Sequence, residues 1–299
     1  PPVYSLHDTY LLSGSRASFA HMLGGDTLSV RLLKNLSKAL WATSVRLAAQ
    51  TQTRGSTDND TGHETLAEFN RLLRARLLPR VTPRLSGYDI AATPLAPRQG
   101  SGSTAWDWFV LTDGRPAFAV MRAVKDDIFS AQRLAAARML LRSLAAEPHS
   151  SLGAMLTKAS RGLRAGWVEG LSGPIMVGMV ALADGAAEWV EAGAITALVV
   201  RHDGAAEDLS RHAPPLGEEN DRGYESEVIV MADDDCVVAL TDAHADAVGA
   251  VAEALSGPTI GSARDGLSRV VGRASAAAAG SGGSSDVSAS IILRTAASR

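Results

Sequence analysis

Residues 102–122 read GSTAWDWFVLTDGRPAFAVMR, and the fold prediction for the chain starts from these residues. Two apolar and aromatic runs, residues 106–111 and 116–121, flank the polar residues 112–115. An Asp-Gly step between two such runs is typical of the turn of a β-hairpin. The sequence therefore predicts two antiparallel strands joined by a tight turn.

Counted back from Asp113 and Gly114, the first strand resembles the GGDxYDxxxxxDG pattern of metal-dependent protein phosphatases, the PPM family. The resemblance is to the bacterial branch that contains the stage II sporulation protein E phosphatase and the stress sigma-factor regulators. In this register Thr104 replaces the metal-binding aspartate, and Asp107 falls on the second aspartate of the pattern. The resemblance therefore implies that the first metal ligand has been lost.

The second strand of these phosphatases leads into GDxSGHG, whose aspartate bridges two divalent cations. Here Arg122 falls on that aspartate. A nearby guanidinium repels divalent cations, whereas it can pair with carboxylates that no metal neutralises. We therefore expect a degenerate metal centre in which Arg122 forms a salt bridge with two of the remaining aspartates.

Further resemblances extend the match along residues 77–294. Residues 191–194 (EAGA) resemble the NAGH turn of the family, and residues 214–217 (PPLG) match its PPLG turn. Asp242 falls on the metal aspartate of the TDG motif. The last ligand corresponds to either Ser285 or Asp286, and the sequence leaves this choice open. The implied degenerate centre comprises Thr104, Asp107, Arg122, Asp242 and Asp286.

The remaining pattern predicts an α+β fold. Helices are expected at residues 128–146, 152–165, 246–255 and 266–279 from their apolar spacing. Short apolar runs bounded by Gly, Asp and Pro predict strands at 175–182, 188–192, 197–201, 228–231, 237–240 and 288–294. The strands between residues 175 and 240 are expected to form a meander. With the resemblance, this order implies an α-β-β-α sandwich, in which helices flank two antiparallel sheets.

The region before the sandwich is predicted to be a helical extension. Residues 1–16 show no clear period and are interpreted as an extended arm, and residues 17–82 as the extension with a flexible linker at 51–61. Leucines at four-residue spacing give helices within residues 26–78 an apolar face, which we expect to mediate homodimerisation or, alternatively, to pack on the domain. The phosphatase-like domain is assigned to residues 83–299.

Composition limits the classes of partner and compartment. The net charge is −3 and the basic residues are dispersed, so no electrostatic footprint for nucleic acid is visible. No apolar run reaches the ~20 residues of a membrane helix, and we expect no membrane insertion. The single cysteine, Cys236, is consistent with the cytoplasm and is predicted to be a buried strand thiol. Residues 233–235 are predicted to form a solvated acidic loop.

Three functional hypotheses follow. The first is a catalytically inactive pseudophosphatase that binds a protein partner as a regulatory or scaffolding module and holds no metal cofactor. The second is an active or residually active serine/threonine phosphatase that binds Mn²⁺ or Mg²⁺ through Asp107, Asp242 and Asp286. The third is a structural subunit of a larger assembly.

Overall fold

The structure is a computed structural model that describes residues 79, 82–94, 103–125, 130–165, 173–218, 220, 222–241, 245–255, 261–280 and 288–295. The predicted arm at 1–16, the linker at 51–61 and the helices expected within 26–78 lie outside the described residues. The domain boundaries at these positions therefore stay predictions.

Ten strands and four helices are described. In chain order they are β1 Tyr88–Pro94, β2 Thr104–Val110, β3 Pro116–Ala123, α1 Ser130–Ala145, α2 Leu152–Arg164, β4 Ile175–Ala183, β5 Ala186–Ala192, β6 Thr196–Val200, β7 Ala206–Asp208, β8 Glu227–Val230, β9 Cys236–Leu240, α3 Ala245–Leu255, α4 Ala263–Gly280 and β10 Ser288–Arg294. Among these residues, no helix is long and apolar enough to cross a membrane.

The strands form two five-stranded antiparallel sheets. Sheet A has the order β1-β10-β9-β6-β7, and sheet B has the order β2-β3-β4-β5-β8. The predicted α-β-β-α sandwich is confirmed, as is the hairpin, whose register pairs Thr104 with Arg122 and Val110 with Pro116. The predicted meander is wrong, because the chain crosses from β5 in sheet B to β6 in sheet A and returns at β8.

Three apolar clusters hold the layers together. One lies between sheet B and the helices α1 and α2, one lies between the two sheets, and one lies between sheet A and the helices α3 and α4. Both faces of the central strands are therefore buried. This explains why β3 and β4 are almost continuously apolar instead of alternating with polar residues.

Side-chain alternation along β2 and β3 assigns each residue to one of two layers. On β3, Phe118 and Val120 belong to the cluster between the sheets, whereas Ala119 and Met121 belong to the cluster under α1 and α2. Since successive side chains of a strand point to opposite faces, Arg122 lies on the face that looks toward sheet A.

Cys236 lies in the cluster between sheet A and its helices and is fully buried. Burial raises the pKa of its thiol to about 12, so its thiolate fraction near neutral pH is on the order of a thousandfold below that of a free thiol of pKa about 8.5. We expect no reaction with 5,5′-dithiobis(2-nitrobenzoate) while the protein is folded and release of one equivalent of chromophore after denaturation. Rapid labelling of the folded protein would contradict the buried assignment.

Candidate functional site

Thr104 and Arg122 face each other across the hairpin on the side that looks toward sheet A. They are cross-strand partners, and the next pair outward is hydrogen-bonded, since the Ala123 N–H donates to the Ser103 carbonyl at 2.9 Å. Hydrogen-bonded and non-hydrogen-bonded pairs alternate along an antiparallel ladder, so Thr104 and Arg122 form a non-hydrogen-bonded pair. The Cα atoms of such a pair typically lie about 4.5 Å apart. Thr104 is fully buried and Arg122 is half-buried. The hydroxyl and the guanidinium therefore occupy one small region at the end of the hairpin.

Asp107 lies on the opposite face of β2, which corrects its assignment to the same centre. Its carboxylate is 1% exposed and accepts hydrogen bonds from Arg138 Nε at 2.6 Å and from Arg142 Nε and Nη2 at 2.6 Å each. Arg138 and Arg142 lie one turn apart on α1, so both reach the same carboxylate. The three residues are called the Asp107 cluster below. Asp107 is therefore not one of the two aspartates expected to pair with Arg122, because alternation sends residues 104 and 107 to different layers. A pairing of Arg122 with Asp242 and Asp286 stays a prediction.

The other expected ligands, Asp242, Ser285 and Asp286, lie outside the described residues. Thr241, which precedes Asp242, and Ser288, two residues after Asp286, are described, and Leu240 at the end of β9 pairs with Ala289 near the start of β10. Thr241, which follows β9, is 1% exposed. The chain therefore leaves β9 and enters β10 at the same end of sheet A.

The described part of the expected centre does not fit a divalent metal. Mg²⁺ and Mn²⁺ are bound through carboxylate oxygens, whereas this pair offers a hydroxyl and a guanidinium. A divalent ion about 4 Å from the guanidinium would be repelled by about 8 kcal/mol at an effective dielectric of ~20. Within the described ranges, no group of three or more His, Cys, Asp or Glu side chains is arranged to hold a metal ion.

The two turns that resemble family motifs lie together beside the end of β5. Gly193 has a φ of 83° and its N–H donates to the Ala213 carbonyl at 2.7 Å. Leu216 exchanges two backbone hydrogen bonds with Ile175 at the start of β4. The turns thus connect β5, the loop after β7 and the start of β4.

Sequence reasoning singled out Glu191 as part of a turn but missed its burial. Its side chain is 2% exposed on β5, and its Oε1 accepts hydrogen bonds from the backbone N–H groups of Arg211, at 2.6 Å, and of His212. Burial raises the pKa of Glu191, although these hydrogen bonds act in the opposite direction. The sequence signal that could have indicated this burial is the charge of Glu191 at a position of the strand whose side chain faces the interior.

The acidic residues 233–235 do not form a wholly solvated loop as predicted. Asp233 and Asp234 are exposed, but Asp235 is 1% exposed. Its carboxylate accepts from the Ala232 N–H at 2.9 Å, from the His202 N–H at 3.0 Å and from Arg201 Nη1 at 3.0 Å. Asp235 therefore ties the β8–β9 turn to the end of β6, because its buried carboxylate needs these donors.

Comparison with known proteins places the chain among bacterial phosphatase domains. The model of one protein family, described as Stage II sporulation protein E (SpoIIE), matches residues 113–279, more than half of the chain. No curated protein sequence matches the chain.

Solved structures share the fold. The SiaA-PP2C domain of Pseudomonas aeruginosa superposes with a TM-score of 0.60 at 14% identity, over 81% of this chain and 100% of that chain. The RsbU and RsbW domains of a Mycobacterium tuberculosis protein give a TM-score of 0.55 at 21% identity, over 73% of this chain and 62% of that chain. The serine/threonine phosphatase of S. agalactiae gives 0.55 at 12% identity, over 69% and 99%. At such identities the likeness concerns the fold alone.

Proposed function

Because this chain belongs to the stage II sporulation protein E family of PP2C-type phosphatase domains, we propose that it is a pseudophosphatase. It retains the phosphatase fold, holds no catalytic metal pair, and acts as a regulatory or scaffolding module that binds a protein partner.

The observation that carries this proposal is the pairing of Thr104 with Arg122. In the register of the family motif these are the positions of two metal aspartates. Family chemistry depends on two cations that position and activate the attacking water. A hydroxyl and a guanidinium supply neither negative charge nor a bridging ligand there, and the fixed positive charge opposes cation binding.

Asp107 gives no support to the active alternative. That alternative assigned metal binding to Asp107, Asp242 and Asp286, but both oxygens of the Asp107 carboxylate accept hydrogen bonds on the far side of sheet B. A metal ion bound beside Thr104 and Arg122, at the end of the hairpin, would therefore have to use ligands other than Asp107.

The test is to measure metal content and phosphatase activity on the same preparation. The full chain is purified, incubated with excess Mn²⁺ and desalted, and its metal is then measured by inductively coupled plasma mass spectrometry. Turnover of phosphoserine and phosphothreonine peptides is measured in parallel, with the S. agalactiae phosphatase as positive control. We expect less than about a tenth of an equivalent of manganese and no turnover above the uncatalysed rate. Stoichiometric manganese together with turnover would refute the proposal and establish the active alternative.

The partner assignments remain part of the proposal. A protein partner, homodimerisation through helices within residues 26–78 and a cytoplasmic location are predictions from sequence. The third hypothesis, a structural subunit of a larger assembly, would also leave the metal measurement negative. Sedimentation of the chain from native extract at the size of the isolated protein would argue against that hypothesis.

A further inference from the structure

Strand β8 forms one edge of sheet B and carries two large apolar side chains that are exposed to solvent. It pairs with β5 on one side and with no other described strand. Val228 is 70% exposed and Val230 is 74% exposed, the highest values among the large apolar residues that the structure describes. A free strand edge can pair with another strand, and proteins usually protect it with charged side chains, proline or a bulge. The middle of this edge carries valine instead.

The backbone N–H and C=O groups of Val228 and Val230 point away from β5. The Met231 N–H donates to the Gly185 carbonyl at 3.0 Å, and inward and outward residues alternate along an antiparallel strand, so these two valines direct their backbone groups outward. Within the described part of the chain, one of the four outward groups has a partner, the Val230 carbonyl, which accepts from Arg201 Nη1 at 2.7 Å. The other three groups can pair with a further strand.

The two valine side chains lie on the face of sheet B that α1 and α2 cover elsewhere. Val228 is the cross-strand partner of Glu188, and Glu188 Oε1 accepts from the N–H of Leu152, the first residue of α2, at 2.7 Å. Val230 lies on the same face, opposite the half-buried Ala186. The helices therefore stop short of this edge, and a strand added to β8 would remove the apolar surface of both valines from water.

The surroundings of β8 are acidic at the end that carries Val230. Five carboxylates and two guanidinium groups lie there, which leaves a formal charge of −3 when His202 is neutral. The carboxylates belong to Asp184, Glu207, Asp233, Asp234 and Asp235, and the guanidinium groups belong to Arg201 and Arg294. This end therefore attracts a positively charged group.

The other end of β8 is electrically balanced. Glu227 is paired with Arg211, and Glu225 and Arg222 line one surface cavity together. A second copy of the chain, paired antiparallel on β8, would bring its own balanced end to the acidic end and gain no attraction. A segment of another protein gains that attraction when its basic residues lie at the acidic end only.

We propose that the edge of β8 binds an extended segment of a partner protein as an additional antiparallel strand of sheet B. The segment places apolar side chains beside Val228 and Val230 and carries lysine or arginine before them, because its N-terminal end lies at the acidic end of β8. All strand pairs of sheet B are antiparallel, and an added strand gains main-chain hydrogen bonds together with side-chain contacts.

This inference names the binding surface of the regulatory module and therefore rests on the proposed function. The two can fail separately. Stoichiometric manganese with turnover would refute the proposed function and leave the strand edge intact, whereas peptide binding tests the strand edge alone.

The test is a titration of the full-length protein, labelled with ¹⁵N-valine, with synthetic peptides whose ends are blocked. The probe is KKVTVTV. Its matched control, VTVTVKK, has the same composition but carries its lysines at the end that would meet Glu227. The N–H signals of Val228 and Val230 are those lost from the ¹H–¹⁵N spectra of Val228→Thr and Val230→Thr.

We expect KKVTVTV to shift both signals saturably at concentrations up to about 2 mM. VTVTVKK should bind about threefold or more weakly, because its lysines meet the balanced end. In an antiparallel pair the peptide valines beside Val228 and Val230 direct their N–H groups to β8. Methylation of the valine nitrogens of KKVTVTV should therefore weaken binding about tenfold or more, whereas methylation of the threonine nitrogens, which point away, should change it less than about twofold.

Two protein variants test the same contacts from the side of β8. Val228→Pro removes an outward N–H and leaves the hydrogen bonds to β5 in place, so it should weaken binding of KKVTVTV about tenfold or more. Its control, Val228→Thr, retains the N–H and a β-branched side chain and should change binding less than about threefold. Asp234 has a φ of 66°, which asparagine tolerates, and Asp234→Asn should reduce the difference between the two lysine peptides.

Several results would overturn the proposal. They are no saturable shift with KKVTVTV up to about 2 mM, equal binding of KKVTVTV and VTVTVKK, and equal binding of the two N-methylated peptides. If circular dichroism shows that Val228→Pro does not fold, the N-methylated peptides still decide the question. Sedimentation velocity without peptide tests the other occupant, because self-association that is lost in folded Val228→Pro would show that the edge pairs with a second copy of the chain instead.

Discussion

Asp107→Ala is expected to lower the free energy of unfolding by about 3 kcal/mol, the low end of the range for removing one partner of a buried ion pair. Asp107 is 1% exposed and is bound by Arg138 and by both Nε and Nη2 of Arg142. Removing the carboxylate leaves two guanidinium groups without their acceptor. The loss stays at the low end because the Arg142 side chain is 44% exposed and can turn to water.

This prediction is checked by urea denaturation followed by far-UV circular dichroism. Asp113→Ala serves as the matched control, because Asp113 also pairs with an arginine, Arg115 at 2.7 Å, but its side chain is 48% exposed. Exposed ion pairs contribute about 0 to 1 kcal/mol, so the control should lose less than about 1 kcal/mol. Equal losses in the two variants would show that the Asp107 cluster contributes no more than a surface pair.

The second large effect is a gain of metal-dependent stability in the double variant Thr104→Asp, Arg122→Asp. The two carboxylates would face each other as a non-hydrogen-bonded pair, and like charges directly opposite each other destabilise a sheet. A divalent cation would neutralise them. At a Mn²⁺ concentration about a hundred times its dissociation constant, the free energy of unfolding should rise by about 2.7 kcal/mol.

The measurement is the unfolding midpoint with and without Mn²⁺. The parent chain should show no change with the ion. The variant Thr104→Asn, Arg122→Asn removes the positive charge of Arg122 without adding carboxylates. Its unfolding midpoint should also not change with Mn²⁺. If the parent chain is stabilised by Mn²⁺ as strongly as the double aspartate variant, Arg122 does not exclude the metal. If the double aspartate variant does not respond, the two positions do not share a metal site.

The positions of most elements could be predicted from the sequence, but their pairing could not. The sequence predicts the last strand at 288–294, and the structure has it at Ser288–Arg294. β1, Tyr88–Pro94, was missed, since its alternation is weak and its partner lies at the other end of the chain. The three-residue strand Ala206–Asp208 is exposed and carries no apolar signal.

In the candidate site, too, contacts within the hairpin could be predicted from the sequence and contacts between layers could not. The pairing of Thr104 with Arg122 follows from local sequence, because the turn at residues 112–115 fixes which residues of a hairpin face each other. Local sequence failed for Asp107, whose partners come from α1 some thirty residues later. It also failed for Glu191, whose Oε1 accepts hydrogen bonds from a loop at residues 211–212. Local pattern fixes neighbours within a hairpin, whereas contacts between layers depend on the tertiary fold.

The pairing of β1 with β10 also bears on how the chain folds during synthesis. Tyr88 is the partner of Arg294, a separation of roughly two hundred residues, and closing so long a loop carries an entropic cost that adjacent strands avoid. The strands of sheet B, by contrast, have all left the ribosome once Val230 emerges. Sheet B with α1 and α2 can therefore assemble on the nascent chain, whereas β1 has no partner strand until β10 is translated.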